Sequence, residues 1–223
     1  MGSTIAVVGG TGQAGRAVVR EAVARGHAVR VVSRRRPGDL EPSPAGVAHH
    51  AADLLADDEA QVADALAAAF DGAHAVVDTS NGMTPGARAT QFHEFLDLFF
   101  GRDSRLGAWS RLGLLPYPRR CRFQTIDLRD VARALVDAAE GVDPLGVVPV
   151  PGPSDALTAT VGGPQVLAAR DTARAWRRSH DSHRLPVGVV LPGALGEFFR
   201  AGRNLVPDAA VGTITYDQWL AEQ

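Results

Sequence analysis

Lysine is missing altogether, since all 23 basic residues are arginine. That absence excludes every mechanism that needs a lysine amine, and it removes the P-loop, whose phosphates are met by a lysine. Cysteine is nearly missing too. Cys121 stands alone, so no intrachain disulfide forms and nothing points to an oxidising compartment. A net charge of −2 gives no long-range pull toward nucleic acid or an anionic membrane, and the run Arg34-Arg35-Arg36 is too short to change that. No apolar run approaches a membrane span, and the chain enters a strand pattern without a basic leader. The expectation is a cytoplasmic protein that binds neither nucleic acid nor membrane.

What is present is a 223-residue chain, 45% hydrophobic, enough for one sizeable core and read as a single domain over 1–223. It is organised around Ile5 to Gly15, an apolar run that breaks into glycines just before a helical pattern. Gly9 lets the chain turn off the strand, Gly12 lets backbone N–H groups approach a pyrophosphate with no Cβ in the way, and Gly15 lets the helix pack close to the sheet. The anion would sit at the positive end of the helix. A glycine-rich turn that only packs is the alternative, and context decides between them. Gln13 to Arg25 carries Ala14, Ala17, Val18, Ala22 and Val23 at helical spacing, Gly26 ends the helix, and Ala28 to Ser33 follows as a second strand. Strand, helix and parallel strand within about thirty residues make a βαβ unit.

The second strand ends in Val32-Ser33-Arg34-Arg35-Arg36, where an acidic residue would meet a ribose 2′-hydroxyl and an arginine a 2′-phosphate. This favours NADP(H) over NAD(H), with Arg34 the best candidate, because a guanidinium binds phosphate through a planar fork. A solvated basic loop is the other reading, and three prolines in Pro37–Pro44 make the loop itself plain. Val47 to Ala52 reads as a third strand, Glu59 to Phe70 as a helix and His74 to Asp78 as a fourth strand. Asp53, at the end of the third strand, lies on the ligand-binding edge of such a sheet or caps the following helix. The alternation of strands and helices means an α/β parallel sheet.

Val8-Gly9-Gly10-Thr11-Gly12-Gln13-Ala14-Gly15, Ser33-Arg34, Ala52-Asp53-Leu54 and Val76-Val77-Asp78-Thr79-Ser80-Asn81 resemble the NmrA-like branch of the atypical short-chain dehydrogenases/reductases. Arg88 to Phe95, Ile126 to Ala132 and Thr213 to Leu220 are similar to later parts of that family. The resemblance implies a Rossmann-like parallel sheet with helices on both faces, with 1–86 as the nucleotide-binding half and 87–223 as a family-like C-terminal region. It implies dinucleotide contacts at Gly9, Thr11, Gly12, Gln13, Ala14, Gly15, Arg34, Asp53, Leu54, Thr79 and Ser80, and room for a small-molecule substrate.

One departure matters. Where the family has further strands and a helix bearing Tyr-x-x-x-Lys, only Thr84-Pro85-Gly86-Ala87 joins the flanking segments, so the sheet is expected to be shortened. Tyr117, in a proline loop, and Tyr216 have no lysine to lower their pKa, so the catalytic residue is unknown. The fourth strand's free edge would be covered by a downstream segment or a second subunit, forming a homodimer, or else leave a truncated and marginal chain.

Downstream, Phe92 to Phe100 reads as an apolar helix, Arg122 to Ile126 as a strand, Asp127 or Asp130 as the cap of a helix through Ala139, and Gly146 to Val150 as an edge strand marked by Pro149. Helices follow over Ala168–Arg178 and Tyr216–Ala221, the last capped by Thr215. No metal site is expected: His93-Glu94 lacks the second histidine, its place held by Asp97, and His180 and His183 have no cysteine pair. Two functions remain, an NADPH-dependent oxidoreductase without a Tyr/Lys dyad and a non-catalytic NADP(H)-sensing or vestigial homologue.

Overall fold

The computed structural model describes residues 2–34, 44–54, 56, 59–80, 88–89, 91–101, 109, 111–142, 148–151 and 157–223. Arg35, Arg36, Asn81 and the Thr84–Ala87 junction lie outside the described residues. The first elements are β1 (Thr4–Val8), α1 (Gln13–Ala24), β2 (Ala28–Ser33), β3 (Val47–Ala51), α2 (Glu59–Phe70) and β4 (Ala75–Asp78). They are followed by β5 (Arg88–Ala89), α3 (Asp97–Phe100), β6 (Leu114–Pro118), β7 (Arg122–Phe123) and α4 (Leu128–Ala139). The rest are β8 (Val148–Pro151), β9 (Leu157–Val161), β10 (Leu167–Ala168), α5 (Ala169–Ser179), β11 (Leu185–Val189), α6 (Gly193–Arg200) and α7 (Tyr216–Ala221). The chain divides into two compact units, Met1–Thr84 with Val131–Pro144, and Pro85–Asp130 with Leu145–Gln223.

The first unit is a four-stranded sheet in the order β3-β2-β1-β4, parallel throughout. Both of its faces are covered, which is why β1 reads as a continuous apolar run from Ile5 to Val8 rather than an alternating one. Ile5, Val7, Val29, Val31 and Val77 pack against Val18, Val19 and Ala22 of α1 and Ala132 and Val136 of α4. Val8, Val32 and Ala52 meet Ala69 of α2, with Ala65, Leu66 and Phe70 around them. The period of two along each strand thus sends alternate side chains to different helices. Among the described residues no strand pairs with the outer edge of β4, and Val76 there is 48% exposed.

Two helices of this unit stop in the same way. Gly26 has φ +83°, with His27 N–H donating to the Ala22 carbonyl and Gly26 N–H to that of Val23. Gly141 has φ +73°, with Val142 N–H donating to Asp137 and Gly141 N–H to Ala138. Both are Schellman closures, which need a residue in the left-handed region and take glycine there. The two ends are tied together, since Arg25 reaches Glu21 at 2.9 Å, Asp137 at 2.6 Å and Glu140 at 2.8 Å.

The second unit is built around aromatic side chains. Leu96, Phe100, Leu115, Phe123, Trp176, Phe199, Tyr216, Trp219 and Leu220 form its buried core. Phe92 to Phe100 is not one helix: a 3-10 turn, His93–Leu96, runs into the single turn of α3. Arg122 to Ile126 is likewise shorter than its apolar pattern suggests. β7 ends at Phe123 because the buried Gln124 amide takes over, donating to the carbonyls of Gly163 and Val206 and accepting from Val206 N–H. Tyr117 lies on β6, not in a loop. Among the described residues β6 pairs in parallel with β11 alone, and an edge strand tolerates the missing donors of Pro116 and Pro118. The same logic holds for β8, at the end of the β5-β9-β8 sheet, where Pro149 lies.

The cap of α4 is Asp127, which accepts from the Arg129 N–H at 2.7 Å. Asp130 instead accepts from Thr213 N–H, Thr213 Oγ1 and Ile214 N–H. Thr215 and Gln218 form a reciprocal capping box on α7.

Burial raises the pKa of Asp97, even though its carboxylate accepts from Trp176 Nε1 at 3.1 Å. The folded state therefore keeps that proton to higher pH than the unfolded chain, and stability is lost as pH rises from 3.8 through the raised folded value. Asp97→Asn retains an acceptor for Trp176 and removes the ionisation. We predict a melting temperature no lower than the parent's near pH 7 and a flatter dependence as pH rises above 3.8, read from thermal melts started on the acid side.

Candidate functional site

The sequence-predicted residues converge on the carboxyl edge of the first unit's sheet. β1 ends in the turn Gly9–Gly12 and α1 starts at Gln13. The turn is closed by Gly12 N–H to the Gly9 carbonyl at 2.9 Å, and Gly9 N–H is held by the Val32 carbonyl of β2 at 2.8 Å. The first bond of the helix runs from Arg16 N–H to the Gly12 carbonyl, 2.9 Å. The N–H groups of Gln13, Ala14 and Gly15 therefore have no carbonyl within the helix to bond. Gly12 provides no side-chain cap, and the first turn holds no acidic residue.

Each glycine of the turn has a different reason to be there. Gly9 has φ +74°, and a Cβ on it would lie 2.8 Å from Ser80 N. A Cβ on Gly10 would strike the Val31 side chain at 2.7 Å, a constraint that sequence spacing alone did not reveal. At Gly15 the added atom would sit 2.2 Å from the Gly9 carbonyl oxygen and 2.6 Å from Gly10 Cα. Gly12 differs from these three, being exposed and facing only the Gly9 oxygen at 3.2 Å. That contact is tight, but the rest of the position is open, so a group approaching the helix end meets no side chain there.

The other predicted residues stand along the same edge. Thr79 follows β4 and is pinned to β1, its N–H and its Oγ1 each donating to the Val8 carbonyl at 2.8 Å. Ser80 N–H and Oγ donate to the Asp78 carboxylate at 2.8 and 2.6 Å. Ser33 is buried at the end of β2, its carbonyl accepting from Ala52 N–H at 2.9 Å, so the ends of β2 and β3 lie side by side. Arg34 is exposed one residue beyond. Asp53 and Leu54 follow β3, both exposed, in a turn closed by Ala56 N–H to the Asp53 carbonyl. Thr11 is half-buried, and its carbonyl accepts from Arg16 Nη1 at 2.7 Å. Arg16 is the residue that sequence reading missed. Its signal was a basic side chain in a first helical turn, where acids are favoured.

Both tyrosines lie in the second unit. Tyr216 is 1% exposed, faces Trp219 with ring centroids 5.8 Å apart, and has a hydroxyl without a hydrogen-bond partner among the described residues. Burial, then the charges of Asp97 and Asp217, push its pKa up, opposite to what acid/base work requires. His93 is also core: Nδ1 lies 2.7 Å from Thr125 Oγ1 and Nε2 lies 3.2 Å from the Ile214 carbonyl. Burial lowers its pKa, leaving a neutral ring whose two nitrogens are both engaged.

Strand order 3-2-1-4 reverses direction between β1 and β4, the place where open parallel sheets bind ligands, and a glycine turn with a bare helix end stands there. This is a Rossmann-type unit. Residues 1–97 match the model of the NmrA-like family. Among solved structures it is similar to NmrA, described as a negative transcriptional regulator, in complex with NADP. That match has 15% identity and a TM-score of 0.61, covering 99% of this chain and 95% of that one. The NAD complex of NmrA matches over the same shares at 15% identity and a TM-score of 0.62. The enzyme WbmH of Bordetella bronchiseptica, in complex with NAD+, is 12% identical with a TM-score of 0.57, over 99% and 97% of the two chains. At such identities the likeness speaks for the fold. No curated protein matches the chain. Among the described residues no helix is long and apolar enough to cross a membrane.

The glycine geometry separates fold from binding. Gly15→Ala forces the turn and helix apart and is predicted to cost about 1–3 kcal/mol, as overpacking does. Gly12→Ala is predicted to change stability by no more than about 1 kcal/mol, as an exposed substitution does. Denaturant melts of the two variants check the contrast.

Proposed function

We propose that the chain is an NADP(H)-binding protein of the atypical short-chain dehydrogenase/reductase type, acting in the cytoplasm. The observation that carries this reading is the bare N-terminal end of α1, which has neither a side-chain cap nor an acidic residue and is approached past the exposed Gly12. A pyrophosphate there would be met by the N–H groups of Gln13, Ala14 and Gly15, with Gly9 and Thr11 shaping the turn. The adenosine ribose would lie toward the end of β2, with Arg34 on its 2′-phosphate. Asp53 and Leu54 would flank the adenine, and Thr79 and Ser80 the nicotinamide side. The neighbours in complex with NAD and NADP support a nicotinamide dinucleotide as the ligand, and Arg34 favours NADP(H).

With no Tyr/Lys dyad, the chemistry of such a protein belongs to the cofactor: when bound, it supplies the hydride. The chain's own residues would orient the dinucleotide and keep water from it. An NADPH-dependent oxidoreductase of this kind is the first reading. A non-catalytic NADP(H) sensor is the second, favoured by the burial of Tyr216 in the aromatic core and by the absence of lysine. NADPH consumption in the presence of small carbonyl compounds separates the two. A second copy of the chain would add along the outer edge of β4.

Calorimetric titration tests the site. Gly12→Val places two methyl groups against the pyrophosphate and is predicted to abolish binding of both NADPH and NADH, and unchanged affinity would reject the assignment. Arg34→Asp is predicted to weaken NADPH by about 10- to 100-fold, the size of a charge-assisted hydrogen bond, and NADH much less. Equal losses would remove Arg34 from the 2′-phosphate.

A further inference from the structure

We infer that Arg16 is a further dinucleotide-binding residue, a cation held over the glycine turn to meet the pyrophosphate. The inference rests on the dinucleotide reading above and adds to it a residue that neither the glycine pattern nor the strand ends contain. Arg16 follows Gly15 in the first turn of α1, and its N–H closes the first helical bond onto Gly12. Helical side chains lean toward the N-terminus, so this one folds back over the turn. Its Nη1 donates to the Thr11 carbonyl at 2.7 Å. A guanidinium has five N–H donors in a fixed fork, and that contact uses one of them.

The placement runs against the helix's own field. The N-terminal end of a helix is its positive end, where a cation is disfavoured and an anion favoured. Arg16 is exposed, has no carboxylate in ion-pair contact among the described residues, and shares its turn with no acidic side chain. The contrast lies on the same helix. Arg25, at the favourable C-terminal end, is bonded to Glu21, Asp137 and Glu140. An unpaired arginine tethered beside three uncommitted N–H groups and an open Gly12 makes one anion-binding surface, and the tether fixes the guanidinium at the rim. The chemistry it recognises is the diphosphate common to both nicotinamide dinucleotides, so Arg16 contributes to affinity without choosing between them. Arg34 is the residue that chooses.

The test compares Arg16→Met and Arg16→Lys with the parent in titrations with NADPH and NADH, alongside melts without nucleotide. We expect Arg16→Met to weaken both dinucleotides by a similar factor, about tenfold or more, with a smaller salt dependence and an unchanged melting temperature. Arg16→Lys should recover part of the loss, because charge remains though the fork does not. Unchanged affinities would overturn the inference, as would a loss confined to NADPH. A fall in the nucleotide-free melting temperature, with Lys no better than Met, would reduce Arg16 to a brace for Thr11. A parent chain that binds neither nucleotide would overturn the dinucleotide reading itself, and the Arg16 inference with it.

Discussion

The close approach of Gly15 to the Gly9 carbonyl is the contact on which the first unit's architecture depends. A side chain would begin 2.2 Å from that oxygen, so the start of α1 can lie against the turn only with glycine there. That contact brings the bare N–H groups of the helix to the end of β1. The parallel sheet does the rest, because every strand in it ends on the same edge. Residues scattered over the sequence from Gly9 to Ser80 are thereby brought to one rim.

Much of this was legible in the residues. Gly26 and Gly141 mark helix ends because a Schellman closure needs a left-handed residue, and both glycines have that conformation. The alternation of strands and helices announced a parallel sheet with helices on both faces, and Thr215 announced the last helix. The strand ends carrying Arg34, Asp53 and Thr79 were placed by the same rhythm. What the sequence could not resolve were the particular contacts that individual residues make. Gly10 is constrained by Val31, and Arg16 by the Thr11 carbonyl, and neither relation has a spacing rule.

The second unit resisted reading for a related reason. Its strands are short and proline-bearing, so β6 looks like a loop until its pairing with β11 is seen. Gln124 ends β7 with an amide that takes the place of ladder bonds, and Asp130 turns from helix cap to acceptor for Thr213 and Ile214. In each case a buried polar side chain replaced regular backbone pairing. The same unit encloses Tyr216 and His93, the residues whose types most invite a catalytic role, and uses both as core.

Whether the rim of the first unit holds a nicotinamide dinucleotide is decided by a thermal melt of the purified protein with and without millimolar NADPH or NADH. A ligand that binds only the folded state must raise its stability by mass action. One cooperative transition that shifts upward with both nucleotides, and further with NADPH, is expected. A cooperative transition that neither nucleotide moves would contradict that, leaving the fold intact and the site without its ligand.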